Sequence, residues 1–136
     1  MLSDADYRRL LTLRTGLRRF QRWSERQAGR AGLTPAQHQL LLAIRGHHDP
    51  RGPTIGDLAA HLLLRSHSVV GLVDRADARG LVVRHGQAED HRVVRVRLSA
   101  AGERCLETLS SLHLEELSRL APELQPLWQG LEVEGP

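Results

Sequence analysis

The sequence predicts a mainly α fold carrying one small β-hairpin. Apolar residues recur at helical spacing over most of the 136 residues, as in Leu10, Leu13, Leu17 and Phe20. Helix start signals stand before several of these runs, the clearest being Thr34-Pro35-Ala36-Gln37. After Gly80 the period changes to two: Val94, Val96 and Leu98 alternate with Arg95 and Arg97. The length suits a single domain, residues 1–136, with a core large enough to fold without staples.

Residues 4–30 read as one long helix with a narrow apolar stripe. Leu11 and Trp23 lie off the stripe, and seven arginines cover much of the rest. Such a stripe calls for a substantial packing partner, and a second chain would provide one. The second helix starts at Thr34, with Pro at the first helical position and Gln37 closing a capping box. Leu40, Leu41 and Ile44 are its buried side. Residues 46–53 (GHHDPRGP) are a loop by composition. Thr54 begins a third helix, with Asp57 where a capping acid belongs, and Leu63-Leu64-Arg65 is a turn.

The next helix, Ser66 to Gly80 (SHSVVGLVDRADARG), is the candidate reading element. Ser66 is the expected N-cap and Gly80 the expected stop. Val69, Val73 and Ala76 share one face at spacings of four and three. The other face is expected to carry His67, Ser68, Gly71, Leu72, Arg75 and Arg79, small, polar and basic enough to enter a groove. Strands at 81–84 and 93–98, joined by the polar loop 85–92, form a hairpin. A helix–turn–helix followed at once by such a hairpin is a winged helix–turn–helix. At its tip Arg92 reaches towards a minor groove, and alternation puts Asp90 on the same side, where it can orient the guanidinium. Ser99 caps the start of a further helix. Pro122 and Pro126 then punctuate the tail, so Leu120, Leu124, Leu127, Trp128 and Leu131 are expected on a short final helix.

Charge supports a polyanionic partner touched by one part of the chain. All 19 basic residues are Arg, so every cation can make a forked bond to phosphate or guanine. Residues 1–98 hold 17 Arg against nine acids, and residues 99–136 hold two Arg against seven. The single cysteine, Cys105, excludes an internal disulfide framework and suits a reducing compartment. Arg8 and Arg9 interrupt any signal-peptide pattern, and no apolar run approaches the roughly 20 residues that span a bilayer. A cytoplasmic protein with no membrane partner is expected.

The order of these elements resembles the MarR family of bacterial transcriptional regulators. The matching residues are Leu72-Val73-Asp74-Arg75, Gly80-Leu81-Val82, Arg84, Asp90-His91-Arg92 and Leu98-Ser99-Ala100-Ala101-Gly102. The resemblance covers about residues 5–120 and rests on five motifs in the right order. It implies a homodimeric repressor on a palindromic operator of double-stranded DNA. Residues 4–33 and 99–136 would be dimerisation helices around a DNA-binding core at 34–98. By position, Ser66, His67, Ser68 and Arg75 would contact DNA, with Arg92 on the wing supported by Asp90. Leu72, on the same expected face, completes the row. The resemblance also implies a pocket for an unknown small-molecule effector, with Trp23, His38 and Leu41 as candidate lining. Gly71 departs from the family pattern and leaves a gap in the contact row, and Ala88 and Ser99 replace a proline and a threonine.

Chemistry independent of the family gives Arg75 a fork for guanine O6 and N7, and the bland alternative is an ion pair with Asp74 or Asp77. Ser66 and Ser68 sit at a helix N-terminus, which favours phosphate. Arg79 and Arg84 are expected to position rather than specify. No nucleophile–base pair, paired carboxylates or phosphate loop supports an enzyme, and no cofactor is called for. Eight His and Cys105 leave a metal- or redox-sensing regulator open, although no His pair has strong zinc spacing and a buried, inert thiol is the plainer reading of Cys105. A winged-helix protein-interaction module is the competing class, since fold does not fix function.

Overall fold

A computed structural model describes residues 1–87 and 90–129, with side chains for all of these except positions 87 and 90–92. The described elements are α1 (Asp4–Arg30), α2 (Pro35–Gly46), α3 (Ile55–Leu62), α4 (Ser66–Ala78), β1 (Val82–Gln87), β2 (Asp90–Leu98) and α5 (Ala100–Trp128). The winged helix–turn–helix arrangement is therefore present, flanked by two long helices.

Capping boxes begin three helices. Thr34 with Gln37 and Thr54 with Asp57 do so at α2 and α3, and Ser3 with Asp6 does so at α1. The Thr54 N–H bonded to Asp57 holds that carboxyl below its usual range. The ends of α1 and α4 share one geometry. At α4, Gly80 has φ 69° and its N–H donates to Asp77, while Leu81 N–H donates to Ala76. Gly32, Leu33, Gly29 and Ala28 repeat this at α1. Both are Schellman closures, with Leu33 and Leu81 turned into the core.

The core lies where α2, α3, α4 and the start of α5 converge. Leu40, Leu41, Leu58, Val69, Val73, Ala76, Val96 and Leu109 are fully or almost fully buried there. The three expected core residues of the fourth helix are among them. Cys105 packs partly buried against the same cluster.

The hairpin is longer than expected. β1 and β2 pair antiparallel from Val82↔Leu98 to Gln87↔Asp90, with a register shift between Gly86 and Gln87. Period-two alternation does not place all arginines of β2 in solvent. Arg95 is only 8 % exposed, because the 46–53 loop folds over that face of the strand. Its Nη1 donates to the Gly52 carbonyl at 2.8 Å and lies 3.7 Å from the Asp49 carboxylate. Val96 N–H donates to the Pro53 carbonyl, and Thr54 forms one isolated bridge to Arg95, which ties the end of this loop to β2.

The C-terminal helix also differs from expectation. α5 runs unbroken for 29 residues through Pro122 and Pro126 instead of ending in a separate short helix. Each proline removes a helical hydrogen bond. Packing against α1 offsets that loss: Leu124 is half-buried, and its Cδ2 lies 3.0 Å from where a Cβ on Gly16 would stand. Leu131 lies outside the described residues. No described helix is long and apolar enough to cross a membrane.

Candidate nucleic-acid interface

The turn before α4 decides what its first residues can do. Leu63 takes the left-handed conformation, φ 54° and ψ 42°, and closes α3. Leu64 and Arg65 complete the turn, so Arg65 is the N-cap of α4 and Ser66 is its first helical residue. The expectation that Ser66 caps the helix is corrected by this one-residue shift. The Arg65 side chain makes no capping hydrogen bond, so among the described residues no hydroxyl or carboxylate of the N-cap closes the first-turn N–H groups. Ser66, His67 and Ser68 are all exposed around it.

Further along α4 the expected faces need revision. Leu72 is only 4 % exposed and belongs to the core beside Val69, Val73 and Ala76. Three residues beyond Val69 and four before Ala76, it falls on their stripe. It is therefore not a groove-facing residue. Val70, assigned to neither face from sequence, is exposed on the outer side instead. Arg79 also leaves the expected row: it donates to the Gly32 carbonyl and to Gln37 Oε1.

Arg75 remains exposed and makes no ion pair among the described residues. The acids that would have neutralised it are engaged elsewhere. Arg84 of β1 pairs with Asp74 and lies 3.4 Å from Asp77. That link fixes the wing to α4 and offsets two negative charges on the helix. Arg75 Nη1 instead lies over Gly71, 3.4 Å from where a Cβ would stand. The Gly71 gap is thus partly filled by the Arg75 side chain. The side chains of Asp90 and Arg92, the expected wing pair, lie outside the described ones.

The candidate effector residues separate. Trp23 lines an open cleft of about 440 Å³ whose walls carry both charges, Arg19, Arg22, Arg26 and Arg119 beside Glu116 and Glu123, with Arg119 paired to Glu116. His38 is 3 % exposed and packs on the His113 ring at 4.8 Å. Leu41 is wholly buried in the core. As packed, His38 and Leu41 offer almost no surface to a ligand, because α2 turns both towards its neighbours. Sequence reading missed His113. Its Nδ1–H donates to the Leu109 carbonyl at 2.7 Å, leaving Nε2 to accept from the Ser24 hydroxyl at 2.7 Å. The signal was available: His113 stands four residues beyond Leu109, on the same helix face. His47 meets His61 at 2.9 Å and Asp57 at 3.4 Å. Among the described residues no group of three or more His, Cys, Asp or Glu is arranged to hold a metal ion.

Comparison with known proteins agrees with this architecture. The MarR family model matches residues 31–93. MarR is a family of transcription regulators, not of enzymes. AbsC, a MarR family transcriptional regulator from Streptomyces coelicolor, is 22% identical with a TM-score of 0.75, covering 97% of this chain and 93% of that one. A MarR family protein from Bacillus stearothermophilus is 25% identical with a TM-score of 0.73, over 89% and 83% of the two chains. The S. aureus MepR–DNA complex is similar at 19% identity and a TM-score of 0.70, over 91% of this chain and 86% of that one. No curated protein matches the sequence. The likeness of fold thus extends beyond residues 31–93 over the long helices that flank them.

Proposed function

We propose that this chain is a DNA-binding transcriptional regulator, acting as a homodimeric repressor on a palindromic operator. One observation carries the reading: Arg75 stands exposed on α4 without an ion pair among the described residues, beside a hydroxyl-bearing helix start, while Arg84 neutralises the acids around it. Phosphate contacts supply affinity and edge contacts specify sequence. The Ser66–Ser68 end suits the first task and Arg75 the second. Arg92 of the wing, oriented by Asp90, would add a minor-groove contact. The S. aureus MepR complex, a similar fold bound to DNA, supports the assignment.

Two copies would pair through residues 4–33 and 99–136. Exposed Tyr7, Leu10, Leu11 and Leu17 on α1 and Leu112, Leu114 and Leu117 on α5 support this. The recognition helices would then enter successive major grooves about 10 base pairs apart. The cleft at Trp23 and Phe20 supports release by a small-molecule effector with an aromatic body.

Selection of bound sequences from random duplex DNA tests the proposal. A palindrome is expected. Failure to enrich any sequence would overturn it in favour of a protein-interaction module.

A further inference from the structure

On the outer face of α4 one side chain has no role in the polar reading just given. Val70 is 42 % exposed, the one large apolar side chain of α4 so displayed among the described residues. It does not support the helix, since β-branched residues are poor choices at exposed helical positions. It lies one turn beyond His67 and beside Gly71, on the exposed flank of α4 that it shares with Asp74, next to the buried stripe of Val69, Leu72, Val73 and Ala76. The edges of the base pairs in the major groove offer donors, acceptors and one apolar group, the C5-methyl of thymine.

We propose that Val70 is a specificity-determining residue that packs on the C5-methyl of one thymine in each half-site. This rests on the DNA-reading assignment and adds to it the base chemistry that its apolar position selects. Arg75, leaning over Gly71, and Val70, on the other side of that glycine, then read different groups: a guanine edge and a thymine methyl. Gly71 separates the two contacts rather than breaking the row.

The test uses the full chain and the duplex selected from random DNA. Each thymine is replaced in turn by deoxyuridine, which keeps the pairing and removes only the methyl. The expected result is one symmetric pair of positions where the replacement weakens binding about fourfold per half-site, the factor for burying one methyl-sized group. Val70→Ala, an exposed change that favours the helix, should bind thymine and deoxyuridine equally at that position while keeping discrimination elsewhere. Wild-type indifference at every thymine overturns the inference, as does a selected half-site with no thymine. So does Val70→Ala that still discriminates at the same position. These outcomes leave DNA reading standing, whereas enrichment of no sequence at all overturns both.

Discussion

Arg79 Nη1 donates to the Gly32 carbonyl at 2.6 Å, tying the end of α4 to the end of α1. The same nitrogen lies 3.0 Å from Gln37 Oε1, the side chain that closes the capping box of α2. One guanidinium therefore joins three helix termini. It fixes how α4 emerges from the core, and so how Arg75 and Ser66–Ser68 are presented.

Arg79→Ala removes both bonds and leaves the Gly32 carbonyl to water. The expected loss is about 1–2 kcal/mol, the range for hydrogen bonds from a charged donor with partly exposed partners. Thermal denaturation checks it. An unchanged melting temperature would show that the link is decorative.

Arg75→Ala should relax sequence preference at one position per half-site, by about 1–3 kcal/mol. Measured against a panel of single-base operator variants, a uniform loss would make Arg75 a phosphate contact. Gly71→Ala separates stability from reading at the same place. Alanine should stabilise the helix by up to about 1 kcal/mol. Its new methyl meets Arg75 Nη1, 3.4 Å away, so the guanidinium must shift. A variant that melts higher but discriminates less at the Arg75 position is the expected outcome.

What the sequence revealed depended on how local each cause was. The capping boxes at Thr34 and Thr54 and the stop at Gly80 act within one helical turn, and they stood in the sequence unaltered. The stripe Val69, Val73, Ala76 was equally plain. Leu72 was misplaced because it lies at the edge of that stripe, where only packing decides. Ser66 lost its capping role to a left-handed Leu63, a conformation that no leucine announces. Arg95 looked like an outward strand residue until a loop some 40 positions earlier in the chain covered it. α5 outlasted its prolines because α1 leaves room at Gly16. For Arg95 and α5 the deciding contact is remote in sequence. Arg75 was legible as a candidate, but its freedom was not, since that depends on Arg84 reaching Asp74 across the fold.

Gly102→Ala should be severely destabilising. In the first turn of α5 a Cβ at this position would collide with the Leu81 carbonyl oxygen, which already accepts from the Ser99 N–H at 3.0 Å. Ser99 Oγ meanwhile donates to the Gly80 carbonyl at 2.5 Å and accepts from the Gly102 N–H at 3.0 Å. Backbone on both sides is thus fixed and cannot yield as a side chain would. Overpacking of this kind costs about 1–3 kcal/mol or more. Urea titration checks it, and a midpoint equal to wild type would mean that α5 slides freely over the wing.

Acid should weaken the fold through His38. Burial lowers its pKa from the ordinary value of 6.5, and the neighbouring His113 lowers it further. Its ring is packed against His113, which in turn touches Trp23 and Phe20 and bonds to Ser24. The folded chain therefore holds His38 neutral at pH values where the unfolded chain has already taken up the proton. With more protons bound unfolded than folded, stability rises with pH across that window. The contribution is complete above the unfolded value of 6.5 and is lost progressively as pH falls towards the lower folded value. Melting temperatures measured from pH 7.5 down to pH 5 should fall, and His38→Gln should flatten part of the slope. A slope identical in the variant would assign the acid sensitivity to another group.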